Sequence, residues 1–440
     1  MVGEWPKLSL EALKAEVEGS IAIGPFGSRM KADRYTPTGV PVIRGNNLSD
    51  TRSFSDEFVY VSPETADELW NCNVRAGDLV FPHRGAIGEV GIVPQDGAER
   101  YVLSTSLMKF TCNRSLVDPF FLFYFFRSPA GRYELLKNAS TVGTPGIGQP
   151  LASLKSIEVP LPTLQEQQRI AGVLSAFDDK IELNRRMNET MEGMVRALFK
   201  SWFVDFDPAR AKAEGLNYRL PNPLADVFPN SFEASELGEI PSGWSVGRFG
   251  DVAENPRRGV SPNEIQPTTP YIALEHMPRK SIALSDWGTA EGIESGKFVF
   301  FTGEILFGKL RPYFHKVGVA PVDGVCSTDI LVVGPHSDDW FGFVLGHVSS
   351  DAFVQHTNAG STGTKMPRTS WGDMARYPIV LPPEPLAKAF TERVRPLISR
   401  ILTSIHQNRS LTGLRDALLP RLISGDIRVP DAERTIGEQM

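Results

Sequence analysis

The sequence predicts an α+β protein made of two similar halves, each a mixed α/β domain followed by a long helix. Three observations lead to this fold class. Motifs recur at a constant spacing along the chain. Short apolar runs bounded by Gly or Pro fill the first part of each half. A helical pattern closes each half in the same register. We expect two tandem domains separated by two long helices, which form an antiparallel coiled coil with a pseudo-twofold internal repeat.

The internal repeat is visible as dipeptides that recur 220 residues apart. They are Asn138-Ala139 with Asn358-Ala359, Gly143-Thr144 with Gly363-Thr364, and Leu161-Pro162 with Leu381-Pro382. Earlier anchors have larger offsets, 223 for Ser104 with Ser327 and 226 for Gly77 with Gly303, so insertions lie between them. The halves share a frame but differ in their loops. This pattern is typical of one scaffold serving two related targets, and an old duplication without functional pairing produces it as well.

The first part of each half is rich in predicted strands. Apolar, β-branched runs at 39–44, 77–82 and 88–93 are bounded by Gly or Pro, as short strands usually are. The density of Gly and Pro excludes long helices across most of residues 20–110 and 250–335. We therefore predict mixed α/β domains at residues 1–162 and 242–383, with a linker at 205–241 and a tail at 425–440.

Two long helices are predicted at residues 163–204 and 384–424, the first opened by a Thr163/Glu166 capping box. Steps of four and three residues define a coiled-coil seam along each helix. In the first helix the seam residues are Ile170, Leu174, Phe177, Ile181, Asn184, Asn188, Met191, Val195, Leu198 and Trp202. Adding 220 gives Phe390, Val394, Leu397, Ile401, Ser404, Asn408, Leu411, Arg415, Leu418 and Leu422. The first seam spans a rod of about 48 Å, which could hold two domains at a fixed separation.

Each seam becomes polar at its middle, at Asn184 and Asn188 in the first helix and Ser404 and Asn408 in the second. A buried polar seam residue fixes register, because slippage would leave an amide unpaired. The same sequence is also compatible with polar seam residues that are solvated and merely tolerated. The second helix also departs from the first at its entry, where Pro383 and its proline neighbours allow a later or distorted start.

Composition restricts the class of protein. Hydrophobic residues make up 41% and charged residues 22%, as in ordinary globular proteins, and no apolar run approaches a membrane span. The N-terminus lacks the features of a secretory signal, so we expect a cytoplasmic protein. Three scattered cysteines show neither disulfide nor metal-ligand spacing. The formal charge of -6 disfavours nucleic-acid binding when taken alone, but one basic face is enough for it.

Five segments carry a resemblance to a known family. They are Gly24–Ser28, Gly39–Asn47, Leu161–Ile170, Ser201–Pro208 and Ser235–Trp244. In this order, and together with the duplication, they resemble the specificity subunit of type I restriction-modification systems over nearly the whole chain. The departure is the proline-rich entry to the second helix.

The resemblance implies a non-catalytic DNA-specificity subunit. Each target recognition domain would read one half of a split, asymmetric site on double-stranded DNA, and the helices would set the spacer and dock partners. It implies two modification (methyltransferase) subunits that bind S-adenosylmethionine and methylate adenine, with no cofactor in this chain. Two restriction (translocase/endonuclease) subunits would join in systems that cleave DNA.

Direct readout of DNA needs donors and acceptors on protruding loops, and phosphates attract Arg, Lys and small polar groups. The two basic loops at 82–85 and 308–312 follow equivalent strands and are the best candidates as units. The candidates in the first half are Arg29, Lys31, Arg34, Arg44, Asn46, Asn47, His83, Arg84, Lys109 and Thr144. Those in the second half are Arg257, Arg258, Lys309, Arg311, Tyr313, His315, Lys316, Lys365 and Arg368.

Enzyme motifs are not found in the sequence. It has no Gly-x-Gly cofactor loop on a strand-helix unit, no Walker lysine, no amino-methyltransferase motif and no metal-ligand cluster. His336 near Asp338, and Asp205 near Asp207, are weak candidates for chemistry because solvated loop residues show the same proximity. Three alternatives remain: an enzyme with an unrecognised site, a coiled-coil interaction scaffold, and a self-standing DNA-binding protein without restriction-modification partners.

Overall fold

The computed structural model describes residues 5–26, 29–48, 51–54, 58–140, 143–216, 222–360 and 366–439. The chain divides into two compact units: unit 1 holds residues 1–182 and 410–440, and unit 2 holds residues 183–409. Each long helix therefore contributes one part to each unit. The division falls inside the helices, which the sequence pattern predicts as segments between the domains.

Both units contain strands and helices. The strands are β1 (Lys7–Ser9), β2 (Ile21–Ile23), β3 (Tyr35–Thr36), β4 (Val40–Ile43), β5 (Val59–Val61), β6 (Asn73–Val74), β7 (Leu79–Pro82), β8 (Gly91–Ile92), β9 (Tyr101–Leu103), β10 (Leu107–Phe110), β11 (Ala139–Ser140), β12 (Gly146–Ile147), β13 (Glu158–Pro160), β14 (Phe232–Ser235), β15 (Gly238–Pro241), β16 (Ser245–Arg248), β17 (Ala253–Glu254), β18 (Gly259–Val260), β19 (Pro270–Ile272), β20 (Gly288–Thr289), β21 (Lys297–Phe300), β22 (Ile305–Gly308), β23 (Val317–Val319), β24 (Gly324–Cys326), β25 (Ile330–Pro335) and β26 (Pro378–Leu381). The helices are α1 (Leu10–Leu13), α2 (Pro63–Glu68), α3 (Pro119–Arg127), α4 (Pro129–Leu136), α5 (Pro150–Lys155), α6 (Leu164–Phe203), α7 (Asp207–Ala213), α8 (Asn222–Ala225), α9 (Phe341–Val348), α10 (Asp351–Ala359), α11 (Trp371–Ala375), α12 (Glu384–Ser424) and α13 (Val429–Gln439).

The two units are built on the same strand order. Unit 1 has an antiparallel sheet β2-β10-β7-β8, which unit 2 repeats as β17-β25-β22-β23. A parallel pair lies at the centre of the second sheet of each unit, β4 with β9 and β19 with β24. Its flanking strands also correspond, β5 to β20 and β6 to β21. The fifth strand differs, because β3 extends one edge in unit 1 and β18 extends the opposite edge in unit 2.

An aromatic helix forms much of the core of unit 1. Asp118 caps α3 by accepting hydrogen bonds from the backbone N–H groups of Phe120 and Phe121 at 2.9 and 3.0 Å. All residues from Phe121 to Phe126 are buried in this helix. In unit 2 the corresponding position is taken by α9, whose eight residues are all buried. These helices support the sheets that carry the candidate loops.

The two long helices pack antiparallel within unit 2. Asn184 Nδ2 donates to Gln407 Oε1 and Asn408 Oδ1 at 2.9 and 2.8 Å, while the ring of Trp202 lies 5.4 Å from that of Phe390. Later residues of α6 thus meet earlier residues of α12. Of the seam residues, Ile181, Met191, Leu198, Leu397 and Asn408 are half-buried and the others are buried.

The helix α12 begins at Glu384, 220 residues after the start of α6 at Leu164. The proline-rich entry therefore does not delay it. Pro385 lies in the first turn, where its missing N–H would have no intrahelical partner in any case. The predicted linker contains α7, α8 and the β14–β15 hairpin, and the predicted tail contains α13. Within the described part of the chain, no helix has the length and apolarity needed to cross a membrane.

Candidate nucleic-acid interface

The two basic loops, residues 82–85 in unit 1 and 308–312 in unit 2, are held by matching backbone hydrogen bonds. His83 N donates to Ser106 O as Lys309 N donates to Asp329 O, at 2.9 Å each, and Ile147 N donates to His83 O as Thr369 N donates to Lys309 O, at 3.0 Å each. His83 thus corresponds to Lys309, and Ile147 to Thr369. Each loop leaves the end of an inner strand, β7 or β22, and is fixed by a segment that precedes the last small helix of its domain.

Charge is presented differently on the two loops. Arg84 is exposed in unit 1, and no described residue forms an ion pair or side-chain hydrogen bond with it. Its counterpart is Leu310, because Arg84 bridges Gly146 as Leu310 bridges Arg368. The cations of the unit 2 loop, Lys309 and Arg311, instead flank that position. The shared frame therefore presents different cations at different positions of the loop in the two units.

The loop at residues 143–146 of unit 1, which is bridged to the basic loop through Gly146 and Arg84, also exposes small residues. Thr144 is exposed beside the basic loop, and Gly143 has a φ of +78°. A Cβ on Gly143 would meet nothing within 4 Å, so the left-handed backbone and not the available space favours glycine here. The repeated residues Gly363 and Thr364, and the candidate Lys365, lie outside the described residues.

Backbone strain is concentrated around the unit 2 loop. Arg257, Lys280, Arg311 and His315 have φ values of +44°, +55°, +50° and +50°, a region that non-glycine residues rarely adopt. Tyr313 lies between the last two and is 50% exposed. Such residues cluster at functional sites because a constrained backbone aims side chains that a relaxed loop would not. The strain supports this loop as the functional surface of unit 2.

Several predicted contact residues are engaged by the protein itself. Arg34 forms an ion pair with Glu68 at 2.8 Å, and Arg29 donates to the Glu68 carbonyl at 3.0 Å. Arg258 donates two hydrogen bonds to the Glu304 carboxylate, at 2.8 and 3.0 Å. Two further cations are held in unit 2: Arg368 lies 3.4 Å from Asp329, and Lys316 donates to the Leu274 carbonyl. These cations are partly neutralised or held by the protein, which makes them weaker candidates for DNA contact than Arg84.

Four candidates are buried: Asn47, His83, Lys109 and His315. Lys109 Nζ donates to the Asn73 carbonyl at 2.6 Å, and burial lowers the pKa of its ammonium while Asp78 opposes that effect. Burial likewise lowers the pKa of both histidines, and the Nε2 of each ring donates to a backbone carbonyl, that of Thr105 for His83 and that of Ser349 for His315. Their burial removes these four side chains from the candidate contact surface.

Asn47 has a structural role that both units share. Its Oδ1 accepts from Arg44 N at 2.8 Å, just as His276 Nδ1 accepts from Ala273 N at 2.9 Å in unit 2. Both residues close a turn after the parallel strand of the second sheet. Of the neighbouring candidates, Arg44 is half-buried, and Lys31 and Asn46 are exposed.

A carboxylate that the sequence does not reveal connects α6 to the loops of unit 2. Glu192 is 3% exposed and accepts hydrogen bonds from Ser281 Oγ at 2.8 Å, Ile282 N at 3.1 Å and Ala283 N at 3.0 Å. Lys280 N donates to His315 O at 2.9 Å, which joins this segment to the end of the basic region. A glutamate beside a coiled-coil seam is usually solvated, so the sequence carries no signal for this role.

The weak enzyme candidates gain no support from the geometry. His336 is exposed, and Asp205 forms an ion pair with Lys200. Burial raises the pKa of the Cys112 thiol to about 11, which keeps it protonated and poorly nucleophilic at neutral pH. Among the described residues, no group of three or more His, Cys, Asp or Glu side chains could hold a metal ion.

The fold and its loops define a class: a protein of two α/β units that share one frame, present different cations at equivalent loops, and are joined through two long helices. Residues 26–192 match the family described as the type I restriction modification DNA specificity domain. The chain is 26% identical over 449 residues to the specificity subunit of the type I restriction enzyme MjaIX from Methanocaldococcus jannaschii, covering 98% of this chain and 96% of that protein.

A second relative and a solved structure agree with this match. The specificity subunit of the type I restriction enzyme HindI from Haemophilus influenzae is 26% identical over 407 residues, which cover 80% of this chain and 87% of that protein. The crystal structure of a type I restriction-modification system S subunit from M. genitalium has the same fold, with a TM-score of 0.53, 16% identity, and coverage of 95% of this chain and 96% of that one. The chain is thus similar to type I restriction-modification specificity subunits over nearly its whole length, which confirms the resemblance and the predicted fold class.

Proposed function

We propose that this chain is the DNA-specificity subunit of a type I restriction-modification complex and recognises a bipartite, asymmetric site on double-stranded DNA. The observation that carries the proposal is the pair of basic loops, which share their backbone hydrogen bonds but present different cations, Arg84 in unit 1 and Lys309 with Arg311 in unit 2. A shared frame with different side chains suits two unlike half-sites, because base identity is read by side-chain donors and acceptors. The names of the relatives support the same assignment.

The remaining parts of the assembly follow from the same proposal. Residues 1–162 and 242–383 are the target recognition domains, and the two long helices set the spacer and dock two modification subunits. Those partners bind S-adenosylmethionine and methylate adenine, while restriction subunits supply cleavage. This chain itself carries no cofactor and no catalytic centre, and it acts in the cytoplasm.

Mapping methylated adenines tests the proposal. The full chain is combined with its modification subunits, S-adenosylmethionine and genomic DNA that lacks methylation, and the modified positions are sequenced. We expect one motif made of two different half-sites separated by a fixed spacer. Methylation by this chain alone would indicate an enzyme, and a complex that methylates without any sequence preference would indicate a scaffold.

Lengthening both long helices by seven residues, after Glu182 in α6 and after Arg409 in α12, tests their role in spacing. Seven helical residues add about 10.5 Å, which corresponds to roughly three base pairs of duplex DNA. We expect the methylated motif to keep both half-sites and to gain a spacer longer by about three base pairs.

The matched control inserts the same seven residues at the exposed Glu236–Leu237 turn of the β14–β15 hairpin, which should leave the spacer unchanged. An unchanged spacer in the helix variant, with both half-sites still methylated, would show that the helices do not set the separation.

A further inference from the structure

A cleft of about 220 Å³ opens in unit 2 between the segment after β17, the basic loop and the start of α11. Its lining residues come from five segments of the unit. They are Asn255, Arg257, Phe298, Lys309, Thr369 and Trp371, with Ile330, Leu331, Val332 and Ser370 completing the wall. The cleft therefore lies directly beside the loop that carries Lys309 and Arg311.

Two cations converge on this cleft without compensation. Arg257 is exposed and Lys309 is half-buried, and neither forms an ion pair or side-chain hydrogen bond with any described residue. No described carboxylate contributes to the lining. Two like charges in one partly enclosed site repel each other, and a bound anion offsets that repulsion.

A hydroxyl on the same wall is also left unsatisfied by the protein. Thr369 is 3% exposed, and its Oγ1 has no hydrogen-bond partner among the described residues. Buried polar groups in folded proteins nearly always have a partner. The unpaired hydroxyl is thus an independent sign that the cleft takes a polar occupant.

Most of the remaining wall is apolar, formed by Phe298, Trp371 and the aliphatic residues of β25, and the polar residues Asn255 and Ser370 complete it. The volume is below the roughly 300–1,000 Å³ of clefts that hold drug-sized ligands. An occupant with one small anionic group and one small apolar body fits this combination of charge, walls and size.

Unit 1 provides an internal comparison. The counterparts of Lys309 and Thr369 there are His83 and Ile147, as the matching backbone hydrogen bonds show. His83 is 5% exposed and Ile147 is 8% exposed. Burial lowers the pKa of the His83 ring, which keeps it neutral at physiological pH. The shared frame therefore does not require a cation at the position of Lys309.

We infer that this cleft binds one phosphodiester of the DNA backbone. Arg257 and Lys309 neutralise the phosphate, the Thr369 hydroxyl donates to it, and Phe298 and Trp371 pack against the adjoining deoxyribose. This inference rests on the proposed function and adds a specific phosphate contact in unit 2 to it. Phosphate contacts fix the register of a protein on the duplex, so the seated phosphate would position the unit 2 loop over its half-site.

Phosphate-by-phosphate neutralisation tests the inference. Binding of the full chain with its modification subunits is measured on a series of duplexes that carry the methylated motif. Each duplex has one phosphate replaced by a neutral methylphosphonate. The protein variants are Lys309→Gln and Arg257→Gln. For the unsubstituted complex, one position beside the unit 2 half-site should weaken binding by about 10- to 100-fold, as expected for hydrogen bonds to a charged group. Lys309→Gln should weaken binding to the ordinary duplex and make that position insensitive.

The control is Arg248→Gln, which removes an exposed arginine of unit 2 that does not line the cleft. It should keep the full methylphosphonate profile. Thermal unfolding of each variant checks that the fold is intact. Inorganic phosphate, followed by ³¹P line broadening with the full chain, tests the other source of this chemistry.

Three results would overturn the inference. The first is that the Lys309→Gln and Arg257→Gln complexes bind DNA as tightly as the unsubstituted complex. A weakened variant that keeps its sensitivity at every position is the second. Phosphate binding that depends on Lys309, without any sensitive DNA phosphate, is the third and would assign the cleft to a free anion. Failure of the proposed function is distinguishable, because the complex would then methylate no defined motif.

Discussion

Replacing Arg415 by alanine is expected to destabilise unit 1 by about 3–5 kcal/mol, the usual cost of leaving a buried charge without its partner. The side chains of Arg415 and Asp178 are 9% and 3% exposed, and their ion pair joins α12 to α6 at 2.6 Å. Asp178 also accepts a hydrogen bond from the Tyr124 hydroxyl of α3 at 2.7 Å. Burial chiefly raises the pKa of Tyr124, so its hydroxyl keeps the proton that it donates.

Native-state hydrogen exchange of the α3 amides measures this effect, because those amides report the opening of unit 1. The matched control is Arg75→Ala, which removes an exposed ion pair with Glu99 in the same unit and should change stability by less than about 0.5 kcal/mol. The double variant Asp178→Leu with Arg415→Met should recover most of the loss, because it removes both charges. Equal protection in Arg415→Ala and the unsubstituted protein would contradict the role of this pair.

Acidification from pH 8 to pH 5 is expected to destabilise unit 2 through His347. This histidine is buried, its Nε2 has no hydrogen-bond partner among the described residues, and rings of Phe199 and Phe343 lie 4.9 and 4.5 Å away. Burial lowers the pKa of His347 from 6.5 to about 3. As the pH falls, the unfolded chain therefore gains a proton on this histidine before the folded chain does. The contribution of the neutral His347 ring to the stability of unit 2 is complete above pH 6.5 and is lost progressively down to about pH 3.

The loss from His347 alone should reach about 2 kcal/mol at pH 5, since one pKa unit corresponds to about 1.4 kcal/mol. The measurement is the opening free energy of the α9 amides by hydrogen exchange at pH 8 and pH 5. The variant His347→Leu should remove this part of the dependence, whereas His336→Gln, at an exposed histidine of the same unit, should retain it. The same pH dependence in His347→Leu as in the unsubstituted protein would refute the assignment.

Much of the fold was predictable because the internal repeat places the same sequence patterns at corresponding positions of the two halves. The starts of α6 and α12, 220 residues apart, follow from the seams that the sequence shows. The opposite placement of the edge strands β3 and β18 was not predictable, since both lie in short segments where the halves differ in length. The structure of the predicted linker was missed for a similar reason, as α7 and α8 are too short to give a clear period.

The candidate site was predictable as loops and much less so as residues. A basic residue in a strand-rich segment has the same sequence signature whether it faces solvent, as Arg84 does, or donates to a buried carbonyl, as Lys109 does. The Asp178–Arg415 pair illustrates another limit. Arg415 is visible as a charged seam residue, but its partner depends on which residue of α6 lies opposite, and a long antiparallel pair fixes that only in three dimensions.

The division of recognition between the two units is tested most directly by exchanging residues 242–383 for the matching segment of a relative and mapping the methylated motif of the reconstituted complex. We predict that one half-site changes to that of the relative while the other half-site and the spacer length persist. A motif in which both half-sites change, or neither does, would contradict the assignment of one half-site to each unit.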